Sequence, residues 1–184
     1  MSPGEQTGRE LDRTEAIACR HGSNGPELPA ARRVTLSTVT RSEIEWLWPN
    51  RFAIGKLSLI SGNPGLGKST LSLEMAAHVS CGTHWPVDGG YAARGDTLIL
   101  SAEDDIADTI LPRLEAMQAD VSRIHALTMI DYANEDGSIS QRMFSLEKDI
   151  NLLDEQLSEL PDCRLVIIDP ISAYMGHVDS HKNS

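Results

Sequence analysis

The chain has 184 residues, 40% of them hydrophobic, and a net charge of −11. That length suits one domain with or without a tail. No run approaches the ~18 apolar residues of a membrane span, and so acidic a chain argues against bulk electrostatic capture of nucleic acid.

Residues 1–33 carry five arginines and five acids, so the excess negative charge lies in residues 34–184. This first stretch is rich in Gly, Pro, Ser, Glu and Arg and has no apolar period. It reads as a disordered polar tail. It also lacks the apolar core of a secretory signal, which points to a cytoplasmic setting. Cys19, Cys81 and Cys163 are odd in number and far apart. They fit neither a zinc spacing nor a disulfide framework and read as reduced thiols.

Residues 34–55 form a lead-in with Ile44, Trp46, Leu47, Trp48 and Pro49. Its tryptophans leave two readings open: anchors to the core, or a flank for a nucleotide base. Lys56 to Ser61 is a short apolar run that predicts a strand. Gly62-Asn63-Pro64-Gly65-Leu66-Gly67-Lys68-Ser69 follows at once and fits G-x-x-x-x-G-K-[ST]. Lys68 to Ser80 predicts a helix, with Leu71, Met75, Ala76 and Val79 on one face and Gly82 as its stop. Gly95-Asp96 marks a turn before a strand at 97–101. A second helix is expected after Glu103, with Ile106, Ile110, Leu114 and Met117 in phase, and with Pro112 kinking it or delaying its start. Residues 124–130 predict a third strand. Leu146, Ile150, Leu153, Leu157 and Leu160 form a helical stripe, and a strand from Arg164 to Asp169 closes the series. Strands alternating with amphipathic helices predict parallel βαβ units in an α/β fold, with helices on both faces of the sheet.

The glycines of the 62–69 loop let backbone N–H groups turn around an anion, and the helix that starts there adds its positive end. Lys68 is placed to reach β- and γ-phosphates, and Ser69 to put its hydroxyl on Mg²⁺. Gly62, Asn63, Pro64, Gly65, Leu66, Gly67 and Thr70 complete the phosphate-binding set. Asp169, at the end of an aliphatic strand, suits a magnesium aspartate. Glu103 follows the strand at 97–101 and suits a general base for an attacking water. Asp104 and Asp105 fit a first helical turn, where carboxylates favour the dipole. Arg113 either stacks its guanidinium on adenine or makes a surface ion pair. After Asp169, His177, Asp179, His181, Lys182 and Asn183 form a polar loop. There a histidine sensing the γ-phosphate competes with a merely solvated tail.

Taken together these residues resemble an AAA family ATPase of the RecA-like P-loop superfamily, similar to the RepA-type hexameric helicases. The resemblance covers residue 34 to the end. It rests on Trp46-Leu47-Trp48-Pro49, the loop at 62–69, Ser101-Ala102-Glu103-Asp104, Pro112-Arg113-Leu114, and Asp169-Pro170-Ile171-Ser172-Ala173-Tyr174 with His181-Lys182-Asn183. The loop is shared by very many NTPases; the Glu-Asp pair and the Asp-Pro-Ile-Ser segment narrow it. The resemblance implies ATP and Mg²⁺ as cofactors, a ring-forming homo-oligomer such as a hexamer, and work on DNA in replication. It also implies a roughly hundred-residue continuation after His-Lys-Asn, so the chain is expected to be the N-terminal part of the domain, with C-terminal strands missing. The expected sheet then has 164–169 beside 97–101 and 97–101 beside 124–130. The strand 56–61 stands across a gap from 164–169. A site built that way is expected to bind ATP with little turnover. The alternatives are a nucleotide-binding fragment, or a module that interferes with assembly of a full-length ATPase.

Overall fold

The computed structural model describes residues 33–87 and 89–175. The tail expected at 1–33, apart from Arg33, and the loop with His177, Asp179, His181, Lys182 and Asn183 lie outside the described residues. The chain divides into two units, Met1–Ser42 and Glu43–Ser184. In the first, residues 33–42 are exposed and contain one 3-10 turn, Leu36–Thr38.

The second unit opens with a small antiparallel hairpin, β1 (Trp46–Trp48) and β2 (Phe52–Ala53). Helix α1 (Lys68–Cys81) ends at Gly82, whose left-handed backbone lets its N–H donate to the His78 carbonyl at 2.8 Å. Strand β3 (Asp96–Ser101) leads through a π-type turn, Ile106–Ile110, into α2 (Leu111–Ala116). Pro112 sits in the first turn of α2, where its missing N–H costs nothing, so it delays the regular helix as expected. Strand β4 (Ile124–Ala126), the hairpin β5 (Ile130–Ala133) with β6 (Ile139–Arg142), helix α3 (Ile150–Ser158) and strand β7 (Cys163–Asp169) follow.

β3 is central in a parallel three-stranded sheet of order β4–β3–β7. Its residues alternate between two cores. Ile99, with Ile167 of β7, meets Leu73 and Ala76 of α1 together with Ile110 and Leu114. Leu98 and Leu100 meet Phe144, Leu153 and Tyr174, with Leu157 packed alongside. Helices therefore cover both faces, which is why β3 reads as an unbroken apolar run. A third cluster joins Met75 and Val79 of α1 to Leu47, Trp48 and Trp85. Trp48 stacks on Trp85 with ring centroids 4.8 Å apart and planes within 6°. This tryptophan is an anchor, whereas Trp46 is 37% exposed.

Three expectations need correction. Residues 56–61 form no strand: Leu57 is 92% exposed and Leu59 74%. A strand exists only where a neighbour completes its ladder, and no described segment pairs with these residues. A groove of about 340 Å³ borders β7, lined by Ile54, Gly55, Leu160, Leu165 and Val166 among others. Second, the strand expected at 124–130 breaks after Ala126, and Ile130 begins the separate β5–β6 hairpin. Its turn, Asn134 to Ser138, contains Asp136-Gly137, with Gly137 at φ +81°. That is a hairpin signal readable in the sequence. Third, the stripe from Leu146 to Leu160 is only partly helical, because Leu146 precedes α3 and donates its N–H to the Tyr174 carbonyl at 2.8 Å.

Candidate functional site

The loop before α1 turns through two left-handed glycines, Gly65 at φ +79° and Gly67 at φ +77°. A side chain at either would strain the backbone, so the pattern's glycines have a direct reason. Gly62, Asn63, Pro64, Gly65, Leu66, Gly67 and Thr70 are exposed, while Lys68 and Ser69 are half-buried. The Lys68 ammonium folds back over the loop and donates to the carbonyls of Gly62 and Asn63, both at 3.0 Å. The loop thus presents a cation and a helix N-terminus to one small volume.

Hydrogen bonds at the far end of α1 orient it. The Gly95 N–H donates to the Val79 carbonyl at 3.0 Å, and Arg94 Nε donates to the Ser80 carbonyl at 3.1 Å. Gly95 immediately precedes β3, so the C-terminal end of α1 lies at the N-terminal end of that strand. The helix therefore runs back along the sheet. At about 1.5 Å per helical residue and about 3.3 Å per strand residue, Lys68–Val79 and Asp96–Ser101 span nearly equal lengths. This puts Lys68 and Ser69 level with the C-terminal ends of β3 and β7.

Those strand ends carry the carboxylates. Ser101 and Asp169 are register partners, and the Ala102 N–H donates to the Asp169 carbonyl at 3.1 Å. Glu103 follows two residues after Ser101 and is exposed. Its neighbours are held. The Asp104 N–H donates to Ser101 Oγ at 3.3 Å. Asp105 caps the next turn, accepting from the Ala107 and Asp108 N–H groups at 2.7 and 3.1 Å. Arg113 Nη1 donates to Asp104 Oδ2 at 2.9 Å, the ion-pair alternative for that arginine. Asp169 is half-buried, and its charge helps burial to raise the Tyr174 hydroxyl above its ordinary pKa.

The N-terminal end of α1, with Lys68 and Ser69, thus points toward the end of the sheet where β3 leads to Glu103 and β7 ends in Asp169, and Arg113 pairs with Asp104 next to Glu103. The set fits a magnesium nucleotide. Magnesium favours oxygen donors and uses one or two carboxylates beside phosphates and water, and Ser69 and Asp169 offer a hydroxyl and a carboxylate. Among the described residues no group of three or more His, Cys, Asp or Glu forms a cage. One ion pair gave no sequence signal: buried Asp149 accepts both Arg142 nitrogens at 2.6 Å and the Ser145 N–H at 2.9 Å. Among the described residues no helix is long and apolar enough to cross a membrane.

A family model described as AAA domain matches residues 26–184. No curated protein and no solved structure matches the chain. The match spans most of the sequence, from before the glycine loop to the last residue, and the chain therefore belongs to the AAA domain family of P-loop ATPases.

Proposed function

We propose that the chain binds Mg-ATP and is built to hydrolyse its terminal phosphate bond. The observation that supports this reading is the direction of α1, whose C-terminal end is bonded beside the start of β3 and whose N-terminal end, with Lys68 and Ser69, therefore points toward the strand ends that lead to Glu103 and Asp169. In this reading the 62–67 backbone and Thr70 cradle the phosphates and Lys68 bonds β- and γ-oxygens in place of its own loop carbonyls. Ser69 and Asp169 hold the metal, and the face of Arg113 stacks on the base. Glu103 accepts the proton of the attacking water as its oxygen adds to the γ-phosphorus and the bond to the β-phosphate oxygen breaks. Magnesium, when bound, supplies charge neutralisation across the phosphates. The RecA-like, RepA-type reading extends this to a cytoplasmic homo-hexamer coupled to DNA replication or helicase-type work. DNA-stimulated turnover and sedimentation of a ring test that extension.

Titration with ATP tests the core reading. Lys68 contacts ground-state phosphates, so Lys68→Ala is expected to weaken binding at least about tenfold. Glu103→Gln is expected to leave affinity nearly intact and to lower turnover by about 10²–10³. Equal loss of affinity in both variants would remove Glu103 from the chemistry.

A second reading, nucleotide binding without appreciable turnover, is favoured by one observation. Residues 57–61 are exposed and pair with no described strand, so among the described residues no hydrogen-bonded strand ties the phosphate loop to β7. Misplacement by about 1 Å can cost about 10² in rate. Such a chain would hold ATP and interfere with the assembly of a related ATPase. Robust turnover by the pure chain, abolished by Glu103→Gln, would overturn this second reading.

A further inference from the structure

Glu103 is the one residue between Ser101 and Asp105 without a described hydrogen bond of its own, and it sits on a loop pinned from both sides. Toward the sheet, Ala102 is bonded to Asp169, and Ser101 Oγ donates to the Asp104 carbonyl at 3.1 Å. Toward the next helix, the side-chain link is Arg113 to Asp104. Arg113 is mounted firmly, because Leu114 beside it is buried with Ile110 against Leu73 and Ala76 of α1. One ion pair therefore connects the loop that carries Glu103 to a helix docked on the helix that carries Lys68. Both partners are partly exposed, at 43% and 33%. An exposed pair adds little to global stability. What it holds is local, the Asp104 side chain on the loop that carries Glu103.

We propose that Arg113 is a positioning residue, which through Asp104 holds the loop presenting Glu103 to the reacting water. This rests on the ATPase reading of Glu103. The role is compatible with base stacking, since a planar guanidinium donates from its edge and stacks through its face.

The test compares Arg113→Gln, Asp104→Asn, their double variant, Arg113→Lys and Glu103→Gln in the full chain with Mg-ATP. Arg113→Gln and Asp104→Asn are each expected to lower kcat about 10–100-fold, with KM for Asp104→Asn within about threefold and melting temperature unmoved. The double variant is expected to be no worse than the poorer single one, because both remove one link. Arg113→Lys, which keeps the charge, is expected to recover most of the rate. Losses that multiply, or an Asp104→Asn chain that turns over like the parent while Glu103→Gln is inactive, would overturn the proposal. If Glu103→Gln costs nothing, or the parent shows no turnover, the ATPase reading is the one that fails. Amide exchange without nucleotide then decides the positioning role by itself. Exchange at Glu103 and Asp104 should quicken at least about tenfold in Arg113→Gln, and unchanged exchange would overturn it.

Discussion

Asp149 shows how much a single side chain can hold without belonging to any motif. Its carboxylate is 4% exposed, grips Arg142 with both oxygens and closes the turn at Ser145. The Arg142 guanidinium and the Ser145 N–H keep its carboxyl below the ordinary range, against the opposing pull of burial. A depressed carboxylate stabilises the fold above its unfolded pKa of about 3.9 and loses that contribution as pH falls through the folded value. Asp149→Ala is expected to cost about 1–3 kcal/mol at neutral pH, by stranding the Ser145 N–H. Asp149→Asn should flatten the acid limb of the stability curve below about pH 4. Urea unfolding between pH 7 and pH 3 measures both, and parallel acid limbs in parent and Asn variant would remove the pair from the account. This pair was not legible in the sequence, because seven residues separate its members and no periodicity links them. Lys68 and Ser69 were legible because their motif encodes a local backbone shape: two left-handed glycines and a helix start.

The same contrast holds for elements. The α1 helix, strand β3 and strand β7 lie within about a residue of where apolar period, stop signals and strand composition put them. Residues 56–61 have equally good strand composition and are no strand, since a ladder depends on a partner that composition does not specify. The β5–β6 hairpin had its turn signal but short, polar strands, and the apolar run at 124–130 drew Ile130 to the wrong side of the break. These assignments separate cleanly by mutation. Leu100 is fully buried between β3 and the Phe144–Tyr174 cluster. Leu100→Ala is expected to destabilise by about 2–5 kcal/mol. Leu59→Ser, at an exposed position outside any ladder, is expected to stay within about 0.5 kcal/mol of the parent. A large loss for Leu59→Ser in thermal or denaturant unfolding would mean that 56–61 belongs to a packed strand after all.

At the scale of the whole molecule, the parallel α/β layout with helices on both faces follows from the alternation of strands and helices. Parallel strands joined by helices bring all strand C-termini to one edge. What alternation leaves open is the sheet's border. Among the described residues β7 has a neighbour on its β3 side only, and its Val166, which borders the groove, is 37% exposed. An uncovered strand edge beside apolar groups is a template for pairing with another chain. The net charge of −11 opposes that by mutual repulsion. Association is therefore expected to be weak at low salt and to strengthen between about 20 and 300 mM salt, as the screening length falls from tens of ångströms toward about 6 Å. A lysine on the edge should blunt it, so Val166→Lys is expected to lower the associated fraction several-fold at high salt. Its unfolding free energy should change by no more than about 0.5 kcal/mol. Sedimentation velocity across the salt series reads the first effect and denaturant unfolding the second. A parent chain that stays monomeric throughout, or a lysine variant that associates just as strongly, would show that the β7 edge is covered or inert.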